Sequence, residues 1–345
     1  RHVVFLKVHK AGSTTMLNIL SRFALSRQLN VLMHNETTDL SQYNTKIPKT
    51  KVMSIQIGEK YDMLFHHIVF NHTDVAQFFP RDVKYIAIVR NPFDSFISMF
   101  KYVYTRWNHH TTKAVERTNP RDPIKEYLTH PLNYSASPLI TDLFDNRMSV
   151  DFGVNLTKFR EIKKSPKEIG NFINKIDKVF DFVLVLEYFE ESLVMLKRLM
   201  GWSLKDIVFF KLNSFKEIIK KTENTKNNSS KDWLMVREYP EEFRVMHRQW
   251  ATIDYAVYSH FLRVFKEKMK SQSCNFEGEV DIFKQMLTKV NTFCSNKNGM
   301  NSLNIDQTMW SKTFEVTRND CSLMTIDEIE ITGILRKHMR VLYRK

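Results

Sequence analysis

The sequence predicts an α/β fold with a mainly parallel central sheet flanked by helices, and three observations carry that expectation. Short apolar runs of strand character recur at residues 3–6, 63–65, 85–89 and 182–186. These runs alternate with stretches whose apolar residues have helical spacing, the pattern of a parallel sheet covered on both faces. The composition, 43% hydrophobic and 26% charged, is that of a chain able to bury a core.

Taken in order, Val3, Val4, Phe5 and Leu6 read as a buried strand, and residues 9–15 as a polar turn around Gly12. Met16, Leu17, Ile19, Leu20, Phe23 and Ala24 then mark an amphipathic helix. Residues 34–60 are polar and irregular. Met63, Leu64 and Phe65 begin a second strand that runs into His66 and His67. Asp74 is expected to cap a short helix ending at Phe79, before Pro80. Residues 85–89 form a strong strand broken by Asn91-Pro92, and Phe93, Phe96, Ile97, Phe100 and Val103 give the next helix. Residues 105–137, rich in Pro, His, Asn and Thr, read as a long loop of the kind that covers a site. A strand at 182–186 leads into a helix over about 190–200, an exposed loop follows at 220–231, and helical periodicity returns at 241–269. The tail from residue 271 is less patterned. The domain expectation is one α/β core over 1–270, with 271–345 a C-terminal extension packed on the same domain.

The 345 residues include 52 Lys plus Arg against 38 Asp plus Glu, a net charge of +14. Such a field favours anionic partners: phosphorylated cofactors, sulfated glycans, anionic lipid heads or nucleic acid. Charge alone does not choose among them, but no RNA- or DNA-reading motif is present, so nucleic acid is not expected. No window holds the 18 or so apolar residues that a membrane span needs. The chain opens on Arg1-His2 without an initiator Met, and the expectation is a trimmed domain whose anchor or targeting segment would precede it. Cys274, Cys294 and Cys321 show no CxxC or Cys/His spacing, so no metal is expected; one disulfide with one odd thiol and three buried thiols are both open. Asn-x-Ser/Thr triplets at Asn35, Asn71, Asn133, Asn155, Asn227 and Asn228 lean toward a secretory lumen.

Two motifs carry anion chemistry. The first is the stretch from Lys7 to Thr15, KVHKAGSTT, between a strand and a helix. A helix start presents unpaired N–H groups and partial positive charge, so it suits phosphate. Gly12 permits close backbone approach, Ser13, Thr14 and Thr15 add hydroxyls, and Lys10 adds a full charge. The Lys precedes the Gly, which is not the Walker A order. A capped helix start with incidental lysines is the competing reading. The second motif joins Arg90, at the carboxyl end of a strand, to Ser98, about two helical turns into the next helix. Arg90 can grip a phosphate in bidentate fashion and Ser98 can add a hydroxyl; a structural pairing of Arg90 with Asp94 competes.

Together the two motifs resemble a family. K-x-G-[ST]-[ST] after the first strand resembles the 5′-phosphosulfate loop of sulfotransferases, and Arg-(x)7-Ser resembles their 3′-phosphate motif. The match is nearest to the galactose 3-O-sulfotransferases, the group that includes galactosylceramide sulfotransferase. FLKVHKAGSTTMLNIL, LVLEYFEESLVMLKRLMGW at 184–202, FFKLN at 209–213 and Trp250-(x)3-Asp254-(x)3-Tyr258 with Phe261 are similar to blocks of that group. The resemblance spans about 3–265 and is weak over 30–60 and the tail. It implies a P-loop-like sulfotransferase fold and 3′-phosphoadenylyl sulfate (PAPS) as donor. Lys10, Ala11, Gly12, Ser13, Thr14 and Thr15 would hold the 5′-phosphosulfate, and Arg90 and Ser98 the 3′-phosphate. It also implies a Golgi type II membrane protein with a lumenal catalytic domain and a galactose-terminated glycolipid or glycan as acceptor.

A sugar hydroxyl needs a base with a pKa near the working pH, and His fits that need. The pair His66-His67 lies between the two phosphate motifs. The pattern H-x-x-[FY], with Phe70 as the aromatic, resembles the base position of uronyl 2-O-sulfotransferases and selects His67, with His66 as near alternative or structural donor. His9 either contacts substrate or is structural, and Glu187 orients a helix or a neighbouring base. The expected reaction is in-line displacement at sulfur, with Lys10 stabilising the leaving oxygen and no metal required. A uronyl 2-O-sulfotransferase acting on a glycosaminoglycan, a P-loop kinase and a non-catalytic anion- or glycan-binding module are the competing readings.

Overall fold

A computed structural model describes residues 2–41, 46–107, 109–134, 143–211, 233–296 and 300–343. In chain order the elements are β1 (Val3–Leu6), α1 (Ser13–Arg27), β2 (Met63–Leu64), α2 (His72–Ala76), β3 (Lys84–Val89), α3 (Pro92–Arg106), α4 (His110–Thr118), α5 (Pro123–Thr129), α6 (Pro131–Tyr134), α7 (Arg147–Asp151), α8 (Phe159–Lys164), α9 (Pro166–Asp177), β4 (Phe182–Val185), α10 (Phe189–Met200), α11 (Leu204–Ile207), α12 (Glu241–Trp250), α13 (Thr252–Lys270), α14 (Phe276–Ser295), β5 (Ser302–Ile305), β6 (Phe314–Thr317), α15 (Arg318–Thr325) and α16 (Glu328–Leu342). Contacts group them into two units: residues 1–89, 175–211 and 261–345, and residues 90–174 and 212–260.

The first unit holds the sheet. Its order is β2-β1-β3-β4, and every pairing is parallel. Val3, Val4, Phe5 and Leu6 are wholly buried, as a strand covered on both faces requires. Each strand leads into a helix. After β1, α1 buries Met16, Leu17, Ile19, Leu20 and Phe23. It starts at Ser13, three residues before its apolar stripe makes it visible in the sequence. After β2, α2 is capped by Asn71, whose side chain accepts from the Asp74 amide. The expected cap, Asp74, instead lies inside the first turn and accepts from the Ile47 amide at 2.7 Å. After β4, α10 buries Leu193, Val194, Met195 and Leu196 and ends at Gly201 in the left-handed region.

The tail of this unit is more regular than its sequence suggests. The 20-residue α14 buries Phe276, Val280, Phe283, Leu287 and Val290, a helical stripe. The antiparallel β5-β6 pair follows, then α15 and α16. A disulfide joins Cys294, at the end of α14, to Cys321 in α15, and Cys274 is an exposed thiol. Helix α16 packs along α1.

The second unit is built around α3. Asn91 caps it by accepting from the Phe93 and Asp94 amides at 3.1 and 3.3 Å, and Pro92 takes the first position, where no N–H is missed. Phe93, Phe96, Phe100 and Val103 form one face, which packs against Val115, Ile124, Tyr127, Leu128, Trp233 and Phe243. The long loop expected over 105–137 is instead helical where it is described, holding α4, α5 and α6; residue 108 and residues 135–137 lie outside the described residues. These helices have nine, seven and four residues, too short to stand on propensity, and hold their shape by packing on the α3 aromatics. The periodicity expected over 241–269 is real but interrupted at Ala251, between α12 and α13. The loop expected at 220–231 lies outside the described residues, as do Asn227 and Asn228 of the triplets.

Candidate functional site

Because β1 and β2 are parallel neighbours, the chain leaves both at the same edge of the sheet. The segment after β1 carries the KVHKAGSTT motif, and the segment after β2 carries His66-His67. Parallel α/β sheets place their ligands at this edge.

The loop after β1 turns through two left-handed residues, Lys10 (φ 57°) and Gly12 (φ 73°). Alternation of this kind turns successive amides toward one side and forms an anion-binding concavity. Gly12 caps α1 without any side-chain hydrogen bond, and the first turn of α1 holds no acidic residue. The partial positive charge of that helix end is thus left for a ligand. Two constraints make position 12 a glycine: its left-handed φ, and a Cβ there would stand 2.5 Å from Leu186 Cδ1, just beyond β4. Ala11 and Ser13 are buried, Lys10, Gly12 and Thr15 half-buried, and Thr14 exposed.

The two histidine-bearing segments meet. The rings of His9 and His67 stack with centroids 4.2 Å apart and planes 23° from parallel. Both residues are half-buried. The His67 carbonyl accepts from the Leu40 amide at 2.9 Å, and Asp39 forms a parallel bridge with His67, so residues 39–40 fix its backbone. His66 lies in the core. It is 1% exposed, and neither ring nitrogen meets a hydrogen-bond partner among the described residues. Burial first, then the positive charges of Lys7 and Arg336, push its pKa down to about 3. A ring so placed is a neutral core histidine.

Lys7, the first lysine of the motif, is also 1% exposed and forms an ion pair with Glu328 at the start of α16. It thus differs in kind from Lys10, which stands on the turn itself. Nothing in the local sequence separates the two.

Arg90 and Ser98 belong to the second unit. Arg90 follows the last residue of β3 and is half-buried; Ser98 lies on the half-buried side of α3, off its aromatic face. Asp94 accepts from Arg244 at 3.4 Å. In the same unit Asp254, the acid of the Trp250-Asp254-Tyr258 block, accepts from the Met148 amide at 3.1 Å and the Ser149 amide at 2.7 Å. Its carboxylate therefore sits on the start of α7, and burial raises its pKa to about 7. Trp250 lies under the Lys163 ammonium, 3.5 Å from the ring centroid, and Lys163 pairs with Asp145 at 2.8 Å. These contacts tie that block into the second unit around the buried Asp254, with Trp250 and Tyr258 half-buried. In the first unit, Lys211 of the FFKLN run pairs with Glu190 at 2.6 Å, and its amide donates to Asn291; Leu212 and Asn213 lie outside the described residues. Glu187, two residues beyond β4, is exposed.

Comparison with known proteins gives the family. The family model described as galactose-3-O-sulfotransferase matches residues 1–311. The chain is 29% identical over 278 residues to mouse galactose-3-O-sulfotransferase 2, covering 79% of this chain and 63% of that protein. It is 30% identical over 219 residues to human galactosylceramide sulfotransferase, covering 62% of this chain and 48% of that protein. Against human galactose-3-O-sulfotransferase 2 it is 26% identical over 302 residues, covering 86% and 69%. The chain thus spans about half to two thirds of the length of most of the curated relatives it matches.

Proposed function

The chain belongs to the galactose-3-O-sulfotransferase family, and from that premise we propose that it transfers a sulfuryl group from PAPS to the 3-hydroxyl of a β-galactosyl residue on a glycolipid or glycoprotein glycan. The observation that carries the reading is the left-handed Lys10–Gly12 turn at the uncapped start of α1, in the same unit as the stacked His9 and His67. The turn fits a phosphosulfate. It offers backbone amides, the hydroxyls of Ser13, Thr14 and Thr15, and one lysine, with no acidic side chain in the helix's first turn. Arg90 and Ser98 take the 3′-phosphate in this proposal.

Within that assignment His67 removes the proton from the galactose hydroxyl as its oxygen bonds to sulfur. The bond from sulfur to the bridging oxygen breaks, and Lys10 balances the charge that grows on that oxygen as adenosine 3′,5′-bisphosphate (PAP) leaves. His9, stacked on His67, is the second candidate for the base, since either ring could present a nitrogen to the acceptor. His66, buried and held neutral, is not a candidate. The lumen of the secretory pathway is the proposed location. The Cys294–Cys321 disulfide suits an oxidising compartment, and Asn71, Asn133 and Asn155 of the acceptor triplets are exposed. Among the described residues, no helix is long and apolar enough to cross a membrane.

The direct test is transfer of labelled sulfate from PAPS to galactosylceramide, lactosamine-type glycans and desulfated heparan. Label on a galactose acceptor supports the proposal. Label on heparan alone supports the uronyl reading, and PAP binding without transfer to any of the three supports a binding module. In the active enzyme His67→Ala is expected to lower kcat by ~10²–10⁴-fold, the usual contribution of a general base, with PAP affinity retained. Full turnover in that variant, with loss in His9→Ala instead, would move the base to His9.

A further inference from the structure

The family match ends at residue 311, yet two helices follow it, and α16 reaches back to the segments that carry the site. Its first residue, Glu328, pairs with Lys7, two residues before His9. One residue past its middle, Arg336 donates through Nε to the His34 carbonyl at 3.2 Å and through Nη2 to the Thr37 carbonyl. Thr37 lies two residues before Asp39 and Leu40, the pair that fixes the His67 backbone. Near its end, the Tyr343 hydroxyl contacts Asn30 and Glu59, on the chain between α1 and β2. Helix α15 adds a tie, since Asn18 of α1 donates to the Leu323 carbonyl at 2.8 Å.

We infer that α16 is a positioning element of the reaction centre: Glu328 sets the loop through Lys7, and Arg336 sets His67 through residues 34–40. The first grip is two residues from the stacked ring of His9, the second is two residues from Asp39, which bridges to His67, and both sit on one helix. The helix therefore fixes the β1 loop and the His67 segment relative to each other. The Lys7–Glu328 pair suits this role because a buried ammonium is costly to leave without its carboxylate, so it defines one position for the chain after β1. Cys321 anchors the approach to α16: the disulfide to Cys294 lies seven residues before Glu328. This inference rests on the reaction proposed above, but its first readout, PAP affinity, does not need turnover.

The test uses the full chain with Glu328→Gln, Arg336→Met and the double variant Lys7→Met/Glu328→Met. PAP binding is read by calorimetry, folding by the unfolding midpoint, and turnover by kcat and KM for PAPS and a galactose acceptor. Glu328→Gln is expected to weaken PAP at least ~10-fold, and Arg336→Met to lower kcat at least ~10-fold with PAP affinity kept, since misplacement by about 1 Å can cost ~10²-fold. The double variant removes the buried ammonium together with its half-buried carboxylate partner, so it should regain the unfolding midpoint without regaining PAP affinity. Parent-like PAP affinity in Glu328→Gln together with parent-like kcat in Arg336→Met overturns the inference. So does a double variant that recovers PAP affinity along with its midpoint, because α16 would then be a stabilising strut only. If the parent binds PAP but sulfates no galactose acceptor, the proposed reaction fails, and α16 is judged on PAP affinity alone.

Discussion

At the residue scale, adjacent histidines with the same chemistry part company through burial. His66 and His67 are consecutive, yet one is buried and the other half-buried. His67 meets His9 at the sheet edge, while His66 enters the core beside Lys7 and Arg336. The consequence for pH has a definite sign. His66 has a folded pKa pushed down to about 3, below its ordinary 6.5. The unfolded chain takes up a proton below about pH 6.5 and the folded chain does not, so stability is lost as pH falls through that value. The loss is about 1.4 kcal/mol per pH unit until the folded pKa is reached. In the second unit His247 behaves likewise, but Asp254, raised to about 7, holds a proton in the folded state and opposes it. Urea unfolding at pH 7, 6 and 5 should therefore show decreasing stability of the first unit, and His66→Phe should flatten the trend. An unchanged acid slope in that variant would count against the buried neutral imidazole.

At the scale of elements, the start of each helix matters more than its length. Helix α1 begins on a left-handed glycine without a side-chain cap, whereas α3 begins on an asparagine that satisfies two of its amides. The first arrangement leaves donors for a ligand, and the second closes them off. Asn91→Ala is accordingly expected to cost about 1 kcal/mol of stability, the usual value of a lost N-cap, measurable in a chemical unfolding curve. Arg90 precedes that cap and Ser98 lies in the helix it starts, so the same variant should weaken PAP if the proposed 3′-phosphate role is right. The α3 face shows how short helices are specified. Phe93, Phe96 and Phe100 give α4 and α5 an apolar wall, and burying each such ring contributes about 1.5–3 kcal/mol. Composition around residues 105–137 reads as loop because Pro, Asn, His and Thr dominate, and the few apolar residues gain meaning only against that wall.

At the scale of the whole molecule, the Cys294–Cys321 link closes 27 residues of chain. In the chain-entropy account a loop of that size is worth about 3–4 kcal/mol. Reduction, or Cys321→Ala, should lower the unfolding midpoint by a corresponding amount, which differential scanning calorimetry with and without reductant would show. Helix α16 follows directly after this link, so reduction should also bring PAP affinity down if that helix positions the loop. Equal PAP affinity in the reduced, still folded protein would separate the link from the site.

The four strands of the parallel sheet, the helices that follow them and the K-x-G-[ST]-[ST] turn were legible in the sequence, whereas β5 and β6 were not. Those features are local: apolar runs, helical spacing, and a glycine among hydroxyls and lysines at a strand-to-helix turn. The family followed from the same residues, because K-x-G-[ST]-[ST] and Arg-(x)7-Ser are fixed in spacing. Tertiary packing set which of the two histidines is buried, the stacking of His9 on His67, the pairing of Lys7 with Glu328, and the contact of Asp254 with the start of a helix. Each of those facts depends on residues far apart in the chain, up to 321 positions for Lys7 and Glu328. Burial and charge pairing act across such distances through packing, and no local pattern encodes them.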